Sequence, residues 1–70
     1  MRRYEYDVMD LYELVPLLDA LRQVRQTGEG YVADDPASRR YRELMASGFR
    51  WVRSEGFWAV FEREVADGAN

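Results

Sequence analysis

The side chains best suited to binding chemistry crowd into one short stretch. Between Phe49 and Arg63 the chain carries Trp51 and Trp58, the phenylalanines Phe49, Phe57 and Phe61, and the arginines Arg50, Arg53 and Arg63. Indole rings offer large, rigid contact area, and guanidinium groups offer planar paired donors that also stack on aromatic faces. Trp and Arg are also the residues most enriched at the energetic centres of interfaces. Arg50, Trp51, Arg53 and Trp58 are therefore the candidate binding residues, with Tyr31, just after Gly28-Glu29-Gly30, as a further aromatic. Catalytic chemistry finds no such support. Histidine, cysteine and lysine are all absent, which removes the usual general base, the thiol nucleophile and the Schiff-base amine. Only carboxylates remain for a metal. Asp34-Asp35-Pro36 lacks the alternating ligands and glycine of a calcium loop, and Glu62, Glu64 and Asp67 define no pocket. These acids read as caps and solubilising charge. The expectation is a protein that is not an enzyme and uses no cofactor or metal.

Alternation and turn chemistry say what must position these residues. Phe49–Ser54 and Phe57–Val65 read as two strands joined by the turn Glu55-Gly56, with glycine supplying the positive φ of a tight hairpin. A two-residue loop pairs Ser54 with Phe57, Arg53 with Trp58, Trp51 with Val60 and Phe49 with Glu62. One face then holds Phe49, Trp51, Trp58 and Val60 with Arg53 and Glu62, and Arg53 lies opposite Trp58 as a cation–π partner. The other holds Val52, Phe57, Ala59 and Phe61 with Arg50 and Arg63. A three-residue turn would reverse the assignment for one strand.

Upstream, Arg3–Met9 alternates, with Tyr4, Tyr6 and Val8 on one face and Arg3, Glu5 and Asp7 on the other, the pattern of a strand with one face inward. Asp10 offers an N-cap, and Glu13 completes a capping box. Leu11, Leu14, Leu18 and Leu21 make a helical stripe. Pro16 interrupts it, so the regular helix is expected to start late, with Pro16 in its first turn and Leu11–Val15 as a looser turn; a kinked helix is the alternative. The helix ends near Gln26, before Thr27-Gly28-Glu29-Gly30. Tyr31 and Val32 are expected to tuck back onto the core. Asp35-Pro36 starts a second helix with the stripe Ala37, Tyr41, Leu44 and Met45, and Gly48 caps it. Arg39, Arg40 and Arg42 lie off that stripe. They form a solvated face pairing with local acids, as Arg39 with Glu43, or, with Arg50 and Arg53, a grip for phosphate-bearing ligands or an acidic surface.

The expected architecture is one α+β domain over residues 1–70, in the order β-α-α-β-β, with both helices on one face of a three-stranded antiparallel sheet and the last strand in the middle. Both faces of the hairpin are apolar, yet this chain has enough helix to cover only one. Ala59, small and central, leaves room for a helix and so places the Val52/Ala59/Phe61 face inward. Trp51 and Trp58 would then lie on the uncovered face. The converse, with the tryptophans as the core, stays open.

Composition narrows the partners. Seventy residues with 47% hydrophobic and 14% aromatic content suffice for one small core, near the size at which association often helps stability. A formal charge of −3 argues against nonspecific nucleic-acid binding. All ten basic residues are arginine, which fits GC-rich codon usage or selection for interface donors. No apolar run approaches the roughly 20 residues that span a bilayer, and the basic start Met1-Arg2-Arg3 has no apolar stretch behind it to make a signal peptide. A cytoplasmic protein away from membranes is expected.

The ends of the chain resemble a short bacterial βαββ family of unknown function. Met1-Arg2-Arg3-Tyr4-Glu5-Tyr6-Asp7-Val8 is similar to its Tyr-Glu-Tyr-x-Val opening strand, and Ala59-Val60-Phe61-Glu62-Arg63-Glu64 to its Ala-Val-Phe-x-Arg closing strand. Ser47-Gly48-Phe49-Arg50-Trp51-Val52 stands where the family's middle strand would be, while Leu11 to Ala46 departs from its single helix. The resemblance implies a fold and no activity. The function expected is a small protein-interaction module that covers one sheet face by forming a homo-oligomer or docking on a partner. The alternative is an inhibitor of the kind encoded by phage and mobile elements, which occupies a surface of a host enzyme or defence complex or sequesters an anionic nucleotide.

Overall fold

Caps and turns set the element bounds in the computed structural model, which describes residues 2–66. These comprise β1 (Arg3–Asp10), α1 (Leu11–Thr27), α2 (Pro36–Ala46), β2 (Arg50–Glu55) and β3 (Trp58–Val65). The three strands form one sheet in the order β1-β3-β2, antiparallel throughout. The last strand is therefore central, as expected of the simplest three-stranded arrangement. Asp67 lies outside the described residues.

Ala59 and Phe61 of β3 have no exposed surface and join Met9, Leu14, Leu44 and Phe49 in the buried cluster, with Leu18, Ala37, Tyr41 and Met45 packed against it. Both helices thus lie on the Ala59/Phe61 side. The Tyr41 ring meets Phe61 edge-on, centroids 6.4 Å apart. Complete burial of a side chain such as Leu14 or Phe61 stabilises the fold by about 1.5–3 kcal/mol. Phe49, expected beside the tryptophans, belongs to this core.

α1 starts earlier than expected. It is helical from Leu11, and Pro16 lies inside it. The reason is tertiary. The Asp10 carboxylate accepts the Tyr12 N–H at 2.8 Å, and the Leu11 N–H donates to the Phe57 carbonyl at 2.9 Å. Two of the N–H groups that a helix start leaves free are thereby satisfied. Pro16 is on the exposed side of the helix. The helix closes at Gly28, in the left-handed conformation at φ 73°, whose N–H donates to the Val24 carbonyl. α2 begins as expected, with the Asp35 carboxylate accepting the Ser38 N–H at 2.8 Å ahead of Pro36. Its C-cap is Ser47, one residue before Gly48. Val32 is half-buried, but Tyr31 is 81% exposed and does not tuck back onto the core.

The hairpin differs by one residue at its turn. Gly56, at φ 60°, takes the first loop position, so the loop is Gly56-Phe57 and Glu55 pairs with Trp58. Phe57 is held there by the Leu11 bond and by stacking on Tyr12, ring centroids 5.5 Å apart. The register then runs Ser54 with Ala59 and Arg53 with Val60, breaks between Trp51 and Arg53, and resumes with Trp51 opposite Phe61 and Arg50 opposite Glu62. The irregularity leaves Val52 as the extra residue of a bulge, a common feature of edge strands. None of the four expected pairs forms.

Candidate functional site

The direction in which β1 faces defines the site. Its register places Glu5 opposite Arg63, Asp7 opposite Phe61 and Met9 opposite Ala59, and these residues share the helix side. Two of the three are charged. Arg40 of α2 pairs with Asp7, and Arg63 donates from Nε to Glu5 at 2.7 Å and from Nη1 to the Ser47 carbonyl at 2.8 Å. The Arg63 guanidinium also lies 4.7 Å from the centroid of the Phe49 ring. The charged row of β1 is thus neutralised at the rim of the helical layer.

The apolar row of β1 faces away. Tyr6 pairs with Glu62, Val8 with Val60 and Asp10 with Trp58. Tyr4, Tyr6, Val8 and Trp58 are each between 42% and 54% exposed, whereas Val60, between Val8 and Arg53 in register, is only 6% exposed and lies outside the helix-side cluster. Large side chains on three neighbouring strands therefore enclose a small apolar centre with no helix above it. Arg53 lies over the Tyr6 ring at 5.6 Å and donates from Nε to Glu55 at 2.6 Å. That hydrogen bond to Glu55 is the main reason its pKa rises. The Tyr6 phenol is also raised above its ordinary value, first through its hydrogen bond to the Glu62 carboxylate and then through partial desolvation. Tyr6, Arg53 and the acids Glu55 and Glu62 thus form a linked polar set beside the apolar centre.

The structure divides the residues singled out in the sequence. Arg53 and Trp58 come to the uncovered face, but the cation–π partner of Arg53 is Tyr6, because the register places Glu55 and Asp10 opposite Trp58. Trp51 is exposed at the edge strand, opposite Phe61 rather than Val60, and its indole N–H donates to the Arg53 carbonyl at 2.9 Å. Arg50 turns to the end of α2, with Nη1 donating to the Phe49 carbonyl at 2.6 Å and the Met45 carbonyl at 3.3 Å. A helix C-terminus favours such a cation. Tyr31 stands in the segment between α1 and α2, outside the sheet. Arg39 and Arg42 meet Asp34, at 3.9 and 2.8 Å, so Asp34 rather than Glu43 is the acid that Arg39 meets. Tyr4 and Tyr6 were missed as site residues. Their alternation was visible, but not the side of the sheet to which it pointed.

The face ends at an open apolar cleft of about 420 Å³ beside the turn, lined by Leu11, Tyr12, Val15, Pro16 and Phe57. Among the described residues no cluster of three carboxylates could hold a metal ion, and no helix is long and apolar enough to cross a membrane. Comparison of the chain with protein-family models, curated proteins and solved structures finds no match.

Proposed function

We propose that this chain is a non-enzymatic interaction module that closes its uncovered sheet face against a second protein surface, in the first instance another copy of itself. The observation that carries this reading is the inverted β1, whose tyrosines and valine face away from the core while Glu5 and Asp7 face the helices. An isolated domain would favour the opposite orientation, because apolar area removed from water contributes about 25 cal/mol per Å². Contiguous exposed apolar surface on a small domain is typical of a contact surface. Tyr4, Tyr6, Val8 and Trp58 supply the area to be buried, and Tyr and Trp do so at low entropic cost. Arg53 and its neighbouring acids supply orientation. The chain's lack of histidine, cysteine and lysine supports a role without covalent or acid–base catalysis.

Light scattering combined with circular dichroism tests this reading. Wild type should have the mass of a dimer or larger assembly, and Trp58→Glu should be a folded monomer. A wild type that stays monomeric at every concentration, with a mass unaltered by Trp58→Glu, removes self-association and leaves docking on a different protein to be sought.

A further inference from the structure

The helical side of the molecule carries a second feature, unrelated to the sheet face. A groove of about 580 Å³ runs between α1 and α2 and reaches the start of β2, and three guanidinium groups, those of Arg25, Arg42 and Arg50, line it. We infer that this groove is a binding site for a phosphate-bearing organic ligand, a nucleotide-sized phosphomonoester or phosphodiester.

Charge is the first argument. The chain has a net charge of −3, yet its inter-helix groove gathers three arginines and a single carboxylate, Asp34. Asp34 is engaged by Arg42 at 2.8 Å, and among the described residues Arg25 and Arg50 have no ion-pair partner. Arg50 is nonetheless held in place by the Met45 and Phe49 carbonyls, so its charge is positioned without being neutralised. Guanidinium groups bind phosphate through parallel N–H donors, and such charge-assisted bonds are about twice as strong as neutral ones.

Shape and chemistry supply the second argument. The volume falls within the roughly 300–1,000 Å³ typical of small-molecule sites. Leu21 and Met45 add apolar lining, and the half-buried Tyr41 adds an aromatic ring. A simple anion would use the arginines and leave these surfaces unfilled. A ligand with a flat organic group beside its phosphate uses both. Asp34 repels such a ligand from Arg42, which directs the phosphate toward Arg25 and Arg50.

Amide chemical-shift titration with adenosine monophosphate and with pyrophosphate tests the site, on wild type, Arg25→Gln, Arg50→Gln and Arg2→Gln, a control whose side chain pairs with Glu64 away from the groove. Adenosine monophosphate should give saturable shifts confined to the ends of α1 and α2 and the start of β2, and should bind more tightly than pyrophosphate. Its binding should weaken about tenfold or more in Arg25→Gln and in Arg50→Gln, as expected for loss of a charge-assisted bond, and stay unchanged in Arg2→Gln. The Arg25 side chain makes no hydrogen bond or ion pair among the described residues, so its replacement reads the site and not the fold. No saturable response to adenosine monophosphate, tighter binding of pyrophosphate, or equal binding of the nucleotide by wild type and Arg25→Gln overturns the inference.

Discussion

Phe61 and Trp58 lie three positions apart on β3 and meet opposite surroundings. Phe61 is wholly enclosed by the core, and Trp58 stands half-exposed on the uncovered face. Phe61→Ala should destabilise the fold by about 3–5 kcal/mol, through lost burial and the cavity left behind. That is a large share of the roughly 5–15 kcal/mol available to a domain. Trp58→Glu should leave the folded monomer within about 1 kcal/mol of the isolated wild-type chain. Urea denaturation at low protein concentration measures both, and the reverse order would mean that the faces are exchanged. Tyr6 adds a pH dependence. Its pKa is higher in the folded chain than its ordinary value of 10.0, so the folded state holds the phenolic proton more tightly. The associated stabilisation is complete below about pH 10 and is lost as pH rises through the folded value. Wild type should therefore lose more stability than Tyr6→Phe on moving into that alkaline range, and urea denaturation of both proteins across that range measures the difference.

Among the elements, α1 is the one whose local sequence and tertiary setting conflict. Proline in a helix interior is about 3 kcal/mol less favourable than alanine, yet Pro16 lies six residues into α1. The helix begins before it because the Asp10 side chain and the Phe57 carbonyl hold its first turn. Pro16→Ala should raise stability by about 1–3 kcal/mol, seen as a higher thermal midpoint. An unchanged midpoint would mean that the fold absorbs the proline without cost. Asp35→Ala should lose about 1 kcal/mol with its cap, by the same measurement. α2 was legible in the sequence because its signals, Asp35-Pro36 and the stripe through Leu44, are local. The start of α1 and the turn at Gly56-Phe57 were not, because each depends on the other across the 45 residues of chain between Leu11 and Phe57. A strand's alternation likewise separates two faces without saying which will be covered, so the exposed tyrosines could not be assigned.

For the molecule as a whole, one sheet and, among the described residues, two helices leave one side of the sheet open. If that side closes on another copy, folding and association are linked and stability depends on concentration. The thermal midpoint of wild type should rise with protein concentration, and that of Trp58→Glu should not. Identical concentration-independent behaviour would remove the self-associating face while leaving the inter-helix groove untouched, since the two lie on opposite sides of the sheet. By itself the sequence determined the element order, the central place of β3 and the Asp35-Pro36 start of α2. Each follows from local periodicity, from caps, or from the few topologies open to three strands. Only the tertiary structure decided the start of α1, the hairpin register, which sheet face is covered, the outward turn of Tyr4, Tyr6 and Val8, and the gathering of Arg25, Arg42 and Arg50 along one groove. Register and facing depend on which of nearly equal apolar surfaces the helices cover, and that choice belongs to the packed molecule rather than to any one segment.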